Sequence, residues 1–210
     1  MLLGVALLVL LIMAGVNNVW RFQPWADGET HGRWTALYNG NGRTVGTDQQ
    51  VVLEPKAATS ADVTHGSLVH TTDSYMDADF EITVKTEEQV REGTPNVWEV
   101  GWVLWNFRDN DHFYAVALKP NGWEISKQDP EYPGSQRFLA TGEDVTFPIG
   151  KEYRVKVEQN WPQMTVSVNG HILANVIDRE RPYRGGSIGL YTEDARVRFL
   201  DLEVTAEPGS

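Results

Sequence analysis

The sequence predicts an all-β fold in which two antiparallel sheets pack as a jelly-roll sandwich, and three observations support this. From Trp34 onward, short β-branched and aromatic runs alternate with Gly, Pro, Asn and Asp at intervals of about 8–15 residues. Several runs alternate between apolar and polar side chains, and no long amphipathic helical pattern follows residue 20. Strands without helices bury their apolar faces against one another, which favours two packed sheets.

The strands follow one another along the chain with turn residues between them. In chain order they are Trp34–Tyr38, Val51–Leu53, Ser67–Thr71, Asp79–Thr86, Trp98–Phe107, His112–Lys119, Trp123–Gln128, Arg137–Ala140, Glu152–Gln159, Met164–Val168, His171–Val176, Ser187–Thr192 and Arg196–Val204. In Asp79–Thr86, the side chains of Phe80 and Ile82 point to one face while charged and polar ones point to the other. This alternation is typical of an antiparallel sheet with one wet face.

The first residues form a separate segment. Met1 to Val16 is an uncharged apolar run, and as a helix it would span roughly 24 Å, short of the ~30 Å hydrocarbon core of a bilayer. Residues 1–20 are therefore predicted to be a signal peptide, with a membrane anchor as the alternative. We expect an exported protein with a single sandwich domain at 21–205 and a flexible tail at 206–210.

Charge and cysteine content exclude several classes of function. The formal net charge is −11 and the sequence has no basic cluster, so the surface repels phosphate backbones and nucleic acid is not an expected ligand. The absence of cysteine excludes disulfides, thiol catalysis and thiolate metal sites. The five histidines follow no G-x-S-x-G motif and have no zinc-ligand spacing, so neither a Ser/His/Asp triad nor a zinc site is predicted.

Two hairpins in mid-chain set the register of three strands. A four-residue loop at 108–111 joins the first pair, and without a bulge Phe107 faces His112 while Trp105 pairs with Tyr114. The second hairpin turns at Pro120-Asn121-Gly122, where Asn-Gly is a strong hairpin signal. This turn predicts that Lys119 pairs with Glu124 and that Ala117 pairs with Ser126.

These three strands present two different faces. The core face is apolar and collects Val103, Trp105, Phe107, Tyr114, Val116, Leu118, Trp123 and Ile125. The other face combines tryptophans and small residues with hydrogen-bonding groups, which suits a saccharide because indoles stack on sugar rings while polar groups bind hydroxyls. The predicted binding patch is Trp98, Trp102, Asn106, Lys119, Glu124, Ser126 and Gln128. Three alternatives stay open: a loop or the second sheet covers this face, a bulge shifts the register, or Lys119 and Glu124 form only an exposed ion pair.

A motif in the same region resembles a known superfamily. The run G-x-x-x-W-x-[FY]-x-D-x-x-x-[FY]-Y is formed here by Gly101, Trp105, Phe107, Asp109, Phe113 and Tyr114. It is similar to the concanavalin A-like lectin/glucanase superfamily, nearest the laminin-G-like and 3-keto-disaccharide hydrolase (glycoside-hydrolase-16-like) domains. Ser187–Tyr191 and Val197–Val204 resemble the closing strands of such domains, so the resemblance covers Trp34 to Thr205.

The resemblance implies a jelly roll that binds saccharide on its concave sheet. This chain has Asn106 where the family often carries Arg, and it lacks the E-x-D-x-x-E strand of laminarinases. Glycoside hydrolysis normally needs two carboxyl groups. The face supplies Glu124, and Glu99 would join it only if Trp98–Gly101 is bulged, so catalysis is left undecided.

Calcium is the one cofactor considered. Oxygen-rich clusters occur at Asp73, Asp77 and Asp79, at Asp109, Asn110 and Asp111, and at Glu193-Asp194, without an EF-hand pattern. Solvated turns are the favoured explanation of each cluster, and the resemblance adds that such folds frequently hold one structural Ca²⁺.

Three functions are therefore carried forward. The first is an exported, monomeric β-sandwich that recognises carbohydrate. The second is a glycoside hydrolase of the 3-keto-disaccharide hydrolase type, in which Glu124 is one carboxylate. The third is an adhesion module tethered to a membrane, or assembled into an oligomer or filament, through residues 1–20.

Overall fold

Fifteen β-strands make up the regular structure of residues 23–205, the part of the chain that the computed structural model describes. They are β1 (Thr30–His31), β2 (Trp34–Tyr38), β3 (Arg43–Gly46), β4 (Gln50–Glu54), β5 (Gly66–Thr71), β6 (Asp79–Gln89), β7 (Gly101–Asp109), β8 (His112–Lys119), β9 (Gly122–Gln128), β10 (Gln136–Gly142), β11 (Tyr153–Asn160), β12 (Gln163–Val168), β13 (His171–Ile177), β14 (Ser187–Glu193) and β15 (Ala195–Thr205). Among these residues no helix is long and apolar enough to cross a bilayer. The predicted leader at 1–20 and tail at 206–210 lie outside the described range.

The strands form two antiparallel sheets that face each other, which confirms the predicted sandwich. The eight-stranded sheet has the order β1-β2-β5-β14-β7-β8-β9-β10, and the seven-stranded sheet has the order β13-β12-β11-β6-β15-β4-β3. Each predicted strand is present, and β6 and β15 are both longer than predicted, at 11 residues each. The prediction missed β1 and β3, which are short and carry few apolar side chains.

The core lies between the two sheets and follows the predicted alternation. Phe80, Ile82 and Val84 of β6 are buried against inward side chains of the other sheet, such as Val103 and Trp105 of β7. The intervening residues of β6 are partly exposed, as a strand with one wet face requires. The inner faces of both sheets therefore supply one continuous apolar core.

A bulge changes the predicted first hairpin. Trp105 pairs with Tyr114 as expected, but His112 pairs with Asp109 instead of Phe107 because the register shifts between Trp105 and Asp109. Asn106 adopts a left-handed conformation with φ 48°, which Asn tolerates better than most residues. As a consequence Phe107 leaves the core face and packs with Phe113 on the outer face, so its predicted place in the core is wrong.

The second hairpin is displaced by two residues from its predicted register. Lys119 pairs with Gly122, Ala117 with Glu124 and Ala115 with Ser126, because Pro120 and Asn121 alone form the loop and Gly122 already belongs to β9. A slip of one residue would have moved every side chain to the other face, whereas a slip of two preserves the faces. Glu124 and Ser126 therefore remain on the outer face, as predicted.

A buried lysine closes one end of the sandwich. The Lys127 side chain is fully buried, and its Nζ donates to Asp178 Oδ2 at 2.8 Å and to the carbonyl oxygens of Glu180 and Arg181 at 2.7 Å each. The ammonium also lies 4.2 Å from the ring centroid of Tyr183. Burial acts to raise the pKa of Asp178, but hydrogen bonds from Lys127, the Glu180 N–H and Tyr114 outweigh it and hold that pKa below its ordinary value.

Removal of this lysine should strongly destabilise the domain. We expect Lys127→Met to lower the free energy of unfolding by about 3–5 kcal/mol at neutral pH, because it removes the nearer cation from the buried Asp178 carboxylate and leaves only Arg137, at 3.4 Å. The depressed pKa of Asp178 contributes stability above its unfolded-state pKa and loses it as the pH falls, so the deficit should shrink below about pH 4. Urea unfolding at several pH values measures both effects.

The matched control is Lys156→Met. Lys156 lies 2.6 Å from Glu158 in a pair that is more than 40% exposed on both sides, so its loss should cost less than about 1 kcal/mol. Equal losses for the two variants would contradict the role given to Lys127.

Candidate functional site

The outer face of the eight-stranded sheet, which points away from the core, contains a cavity of about 210 Å³. Its aromatic walls are Tyr38, Trp102, Phe113 and Tyr191, and Leu68 of β5 adds an aliphatic side chain. Its polar groups are Asn110, Ser126, Gln128, Gln136 and Glu193. Seven strands of one sheet thus contribute side chains to a single small space.

This convergence requires a strongly curved sheet. β2 and β10 are six strand spacings apart, about 29 Å along the sheet at roughly 4.8 Å per spacing, yet Tyr38 and Gln136 line the same cavity. The β7–β8 turn also reaches over this face, because the Tyr38 hydroxyl lies 3.4 Å from Asn110 Oδ1. The outer face is therefore concave, and the Tyr38–Asn110 contact closes one side of the cavity.

An apolar cluster forms the floor of the cavity. The ring of Trp102 meets Tyr191 edge to face, with 6.0 Å between ring centroids, and its indole N–H donates to the Trp98 carbonyl at 2.9 Å. Trp102 is only 8% exposed, since it packs in a cluster that includes Leu104 and Ala115. Its ring is thus held in place, and its N–H is already used within the protein.

One carboxyl group lines the cavity. Glu193 Oε1 accepts a hydrogen bond from the Tyr191 hydroxyl at 2.7 Å. Burial is the main cause that raises the pKa of Glu193, and the nearby carboxylates of Asp194 and Glu99 add to it against the opposing effects of Tyr191 and Arg91. Burial also raises the pKa of Tyr38, to about 12. The site therefore holds a carboxyl whose ionisation is disfavoured, beside two neutral tyrosines.

Sequence analysis missed Glu193 as a site residue, having noted it only within a possible calcium cluster. The signal was available, because alternation along β14 places Tyr191 and Glu193 on the same face. What the sequence did not reveal is that β14 lies beside β7, which brings that face next to Trp102. Which side chains share a face follows from local alternation along a strand. Which strands are neighbours depends on contacts between distant segments, which a single sequence does not show.

Three of the predicted patch residues, Trp102, Ser126 and Gln128, line the cavity. Lys119 and Glu124 share its face but lie outside its lining, and they bind each other with 2.5 Å between Nζ and Oε2. Their side chains are mostly buried, so the alternative of an exposed ion pair does not describe them.

The other two predicted patch residues lie elsewhere. Trp98 precedes β7 and is 44% exposed, outside the lining of the cavity. Asn106 occupies the bulge, where it is buried and its Nδ2 donates to the Tyr183 carbonyl at 2.9 Å. The prediction placed Asn106 on the ligand face because it assumed an unbulged strand.

Glu99, the second predicted carboxylate, is sealed inside the protein. It is fully buried, forms an ion pair with Arg91, and accepts a hydrogen bond from Asn96 Nδ2 at 2.8 Å. Arg91 in turn binds Asp194 Oδ2 at 2.7 Å. Neither Glu99 nor Glu124 lines the cavity, so the structure does not assemble them as a catalytic pair.

The oxygen-rich clusters are engaged within the protein. Asp77 binds Arg184 at 2.6 Å, Asp109 binds His112 at 2.7 Å, and Asp79 Oδ1 accepts from the Gln159 N–H at 2.8 Å. Between residues 23 and 205, no group of three or more His, Asp or Glu side chains is placed to hold a metal ion. Structural Ca²⁺ thus stays a prediction from the resemblance.

Comparison with known families decides the relationship of this chain. The model of the 3-keto-alpha-glucoside-1,2-lyase-like domain matches residues 21–205. The chain belongs to this family. The match confirms the resemblance to concanavalin A-like and 3-keto-disaccharide hydrolase domains that the mid-chain motif indicated. Among curated proteins no match was found.

Solved structures show that this lyase-like domain shares its fold with other sandwich proteins. The carbohydrate binding module CBM66 of Bacillus subtilis is 16% identical with a TM-score of 0.61, covering 87% of this chain and 100% of that one. The lumenal domain of VIP36, in a form bound to Ca²⁺ and Man3GlcNAc, is 15% identical with a TM-score of 0.56 and covers 85% of each chain. A glycosyl hydrolase-like protein of Parabacteroides distasonis is 13% identical with a TM-score of 0.52, covering 82% and 93%. At these identities the likeness shows the fold alone.

Substitution of Trp102 and of Trp98 should have different effects on stability, because Trp102 is nearly buried and Trp98 is exposed. We expect Trp102→Ala to lower the free energy of unfolding by about 3 kcal/mol, because the ring is nearly buried in the apolar cluster. Trp98→Ala should change it by less than about 1 kcal/mol, since the ring is exposed and the carbonyl that binds Trp102 is retained. Urea unfolding of both variants tests this, and a small loss for Trp102→Ala would mean that its ring is not part of the packed floor.

Proposed function

We propose that this domain binds a saccharide in the cavity on the outer face of its eight-stranded sheet. The observation that carries the proposal is the composition of the cavity, which joins fixed aromatic walls to a set of amide, hydroxyl and carboxyl groups. Aromatic rings stack on the apolar faces of sugars, and such polar groups bind hydroxyls. Membership in a family named for a glucoside lyase supports the same class of ligand.

The roles of individual residues follow from which polar groups are already paired. Between residues 23 and 205 no hydrogen bond engages the side-chain amide of Gln128, so this amide is free to bind sugar hydroxyls. Gln136 Nε2 lies 3.4 Å from Ser126 Oγ, a contact at the weak limit that a ligand hydroxyl can replace. Glu193 Oε2 provides an acceptor, since Tyr191 occupies the other oxygen. A ligand held inside the cavity would not contact Trp98, Lys119 or Glu124, because these residues do not line it.

Export is the second part of the proposal. The uncharged apolar run Met1 to Val16 supports a signal peptide, with a membrane anchor through residues 1–20 as the alternative. Extracytoplasmic saccharides are then the accessible ligands, and a monomeric domain suffices to bind them. If instead residues 1–20 assemble the protein, their deletion will reduce its size in solution.

Glu193→Gln tests the saccharide site. We expect the variant to weaken binding about ten-fold or more on an array of mono-, di- and trisaccharides of glucose, galactose, mannose and fructose, because it removes the charged acceptor. Gln retains an oxygen for Tyr191, and because the raised pKa of Glu193 makes its ionisation unfavourable in the folded state, the variant should be no less stable at neutral pH.

The pH profile provides a second measurement. As the pH falls through the raised pKa of Glu193, the carboxylate gains a proton and wild-type binding should weaken at a higher pH than an ordinary glutamate would allow. The profile of Glu193→Gln should be flat over this range. Glu203→Gln, an exposed carboxylate on β15, is the control and should behave as wild type. Unchanged binding by Glu193→Gln would remove this carboxyl from the site.

Lyase activity is a second candidate function, favoured by the family and by the single carboxyl in the cavity. Hydrolysis normally uses two carboxyl groups, about 5–5.5 Å or 6.5–9.5 Å apart. Elimination from a 3-keto-glucoside needs one base, because the ketone acidifies the proton on C2. Glu193 would take that proton, a C1–C2 double bond would form, and the glycosidic oxygen would leave as an alcohol with a proton from solvent.

Incubation with a 3-keto-α-glucoside tests this activity. We expect the wild type to release the alcohol and an unsaturated ketose, seen by ultraviolet absorbance and mass spectrometry, and Glu193→Gln to slow the release at least about 100-fold. Glu124→Gln should retain activity, because Glu124 lies outside the cavity. Release without an unsaturated product would indicate hydrolysis instead.

A further inference from the structure

An exposed aromatic residue stands on the edge strand beside the cavity. The Phe138 side chain is 55% exposed on β10, the last strand of the eight-stranded sheet. Phe138 pairs directly with Ser126, which lines the cavity, and follows Gln136, another lining residue, by two positions. Side chains alternate along a strand, so Gln136 and Phe138 share the outer face.

The neighbours of Phe138 confirm this orientation. Arg137 turns inward, where its Nη1 lies 3.4 Å from Asp178 Oδ1, and Leu139 packs against the core. The register of β10 against β9 shifts between Phe138 and Ala140, so Phe138 sits at a bulge. Bulges at sheet edges re-aim side chains, and here the bulge leaves an apolar ring facing solvent next to the cavity.

Exposure alone would not indicate a role, because single exposed apolar residues are common on protein surfaces. The position of Phe138 beside the cavity distinguishes it from other exposed apolar residues. The backbone of Phe138 lies one strand spacing, about 5 Å, from that of Ser126, which is close to the length of one pyranose unit. The opposite side of the cavity is closed by the contact between Tyr38 and Asn110. A chain that enters the cavity therefore has its open path across β9 and β10.

The size of the cavity limits what it encloses. Its volume of about 210 Å³ equals roughly seven water molecules at liquid density, which suits a single sugar ring better than an extended chain. A longer saccharide would have to continue outside, over the polar groups of Ser126 and Gln136 and onto the Phe138 ring.

We propose, on the basis of the saccharide site proposed above, that the ligand is a chain of at least two sugar units. The terminal unit occupies the cavity, and the second unit stacks on Phe138 at the edge of the sheet. Trp102 and Tyr191 thus form the inner wall, and Phe138 forms an outer platform that selects for chain length.

Phe138→Ala on the saccharide array tests the proposal. For wild type, disaccharides and trisaccharides should bind about ten-fold tighter than the corresponding monosaccharide. The variant should lose most of this difference, while its binding of monosaccharides should change less than about two-fold. Phe138→Trp should restore the preference for longer chains, since it keeps an aromatic face.

Ile172→Ala is the matched control, because Ile172 is 62% exposed on β13, the edge strand of the other sheet. Its saccharide binding should equal that of wild type, and urea unfolding should show all three variants folded. If Phe138→Ala binds longer chains like wild type, or loses monosaccharides equally, the platform is refuted while the saccharide site stands. If the wild type binds nothing on the array, the saccharide site itself fails.

Discussion

The cavity depends on a bulge in β7, and side-chain hydrogen bonds from Asn106, Arg108 and Ser187 hold this bulged segment. Asn106 adopts a left-handed backbone conformation there, and its Nδ2 donates to the Tyr183 carbonyl. Gly186 packs against the bulge so closely that a Cβ atom would lie 2.5 Å from the Asn106 carbonyl carbon, and its φ of +150° also disfavours a side chain. Beyond the bulge, Phe107 turns to the outer face and the β7–β8 turn brings Asn110 to Tyr38. An unbulged strand would have kept Phe107 in the core, as the sequence alone predicted.

A buried arginine, Arg91, pairs with two carboxylates beneath the cavity wall, and a third carboxyl, that of Glu193, lines the cavity. Adjacent residues Glu193 and Asp194 point to different surroundings, Asp194 to Arg91 and Glu193 to Tyr191 at the cavity wall. Arg91 also forms an ion pair with Glu99. Both acidic partners of Arg91 are fully buried, so they are shielded from solvent. This packing places three carboxyl groups near one another, which raises the pKa of Glu193 in addition to the effect of its burial. The raised pKa of Glu193 thus follows mainly from its burial, and the buried carboxylates of Asp194 and Glu99 add to it although Arg91 opposes them.

The sequence predicted the parts of this fold that depend on local pattern. Alternation identified the two faces of β8 and β9 correctly, and the two-residue error in the register of this pair did not change them. The β7 bulge could not be predicted, since the four-residue turn at 108–111 is compatible with a regular hairpin and the Tyr183 carbonyl comes from 77 positions further along the chain. The neighbour relation of β14 and β7, which adds Tyr191 and Glu193 to the site, is likewise non-local. The sequence predicted the strand that contains Phe138 but not its partner strand. It therefore could not show that Phe138 lies beside the cavity.

The pairing of polar groups around the cavity bears on which saccharides the proposed site would accept. Lys119 is bound to Glu124, the indole N–H of Trp102 is bound to a carbonyl, and the Asn106 amide is bound at the bulge. Of the described residues that line the cavity, none is a Lys or Arg, and Glu193 is the only one with a carboxyl group. An anionic sugar would meet a carboxylate without a compensating cation, in a chain whose formal net charge is already −11. Under the proposed function, a neutral sugar would bind the amides and hydroxyls of the cavity and stack on its aromatic walls without this electrostatic cost, so the charge distribution favours neutral saccharides.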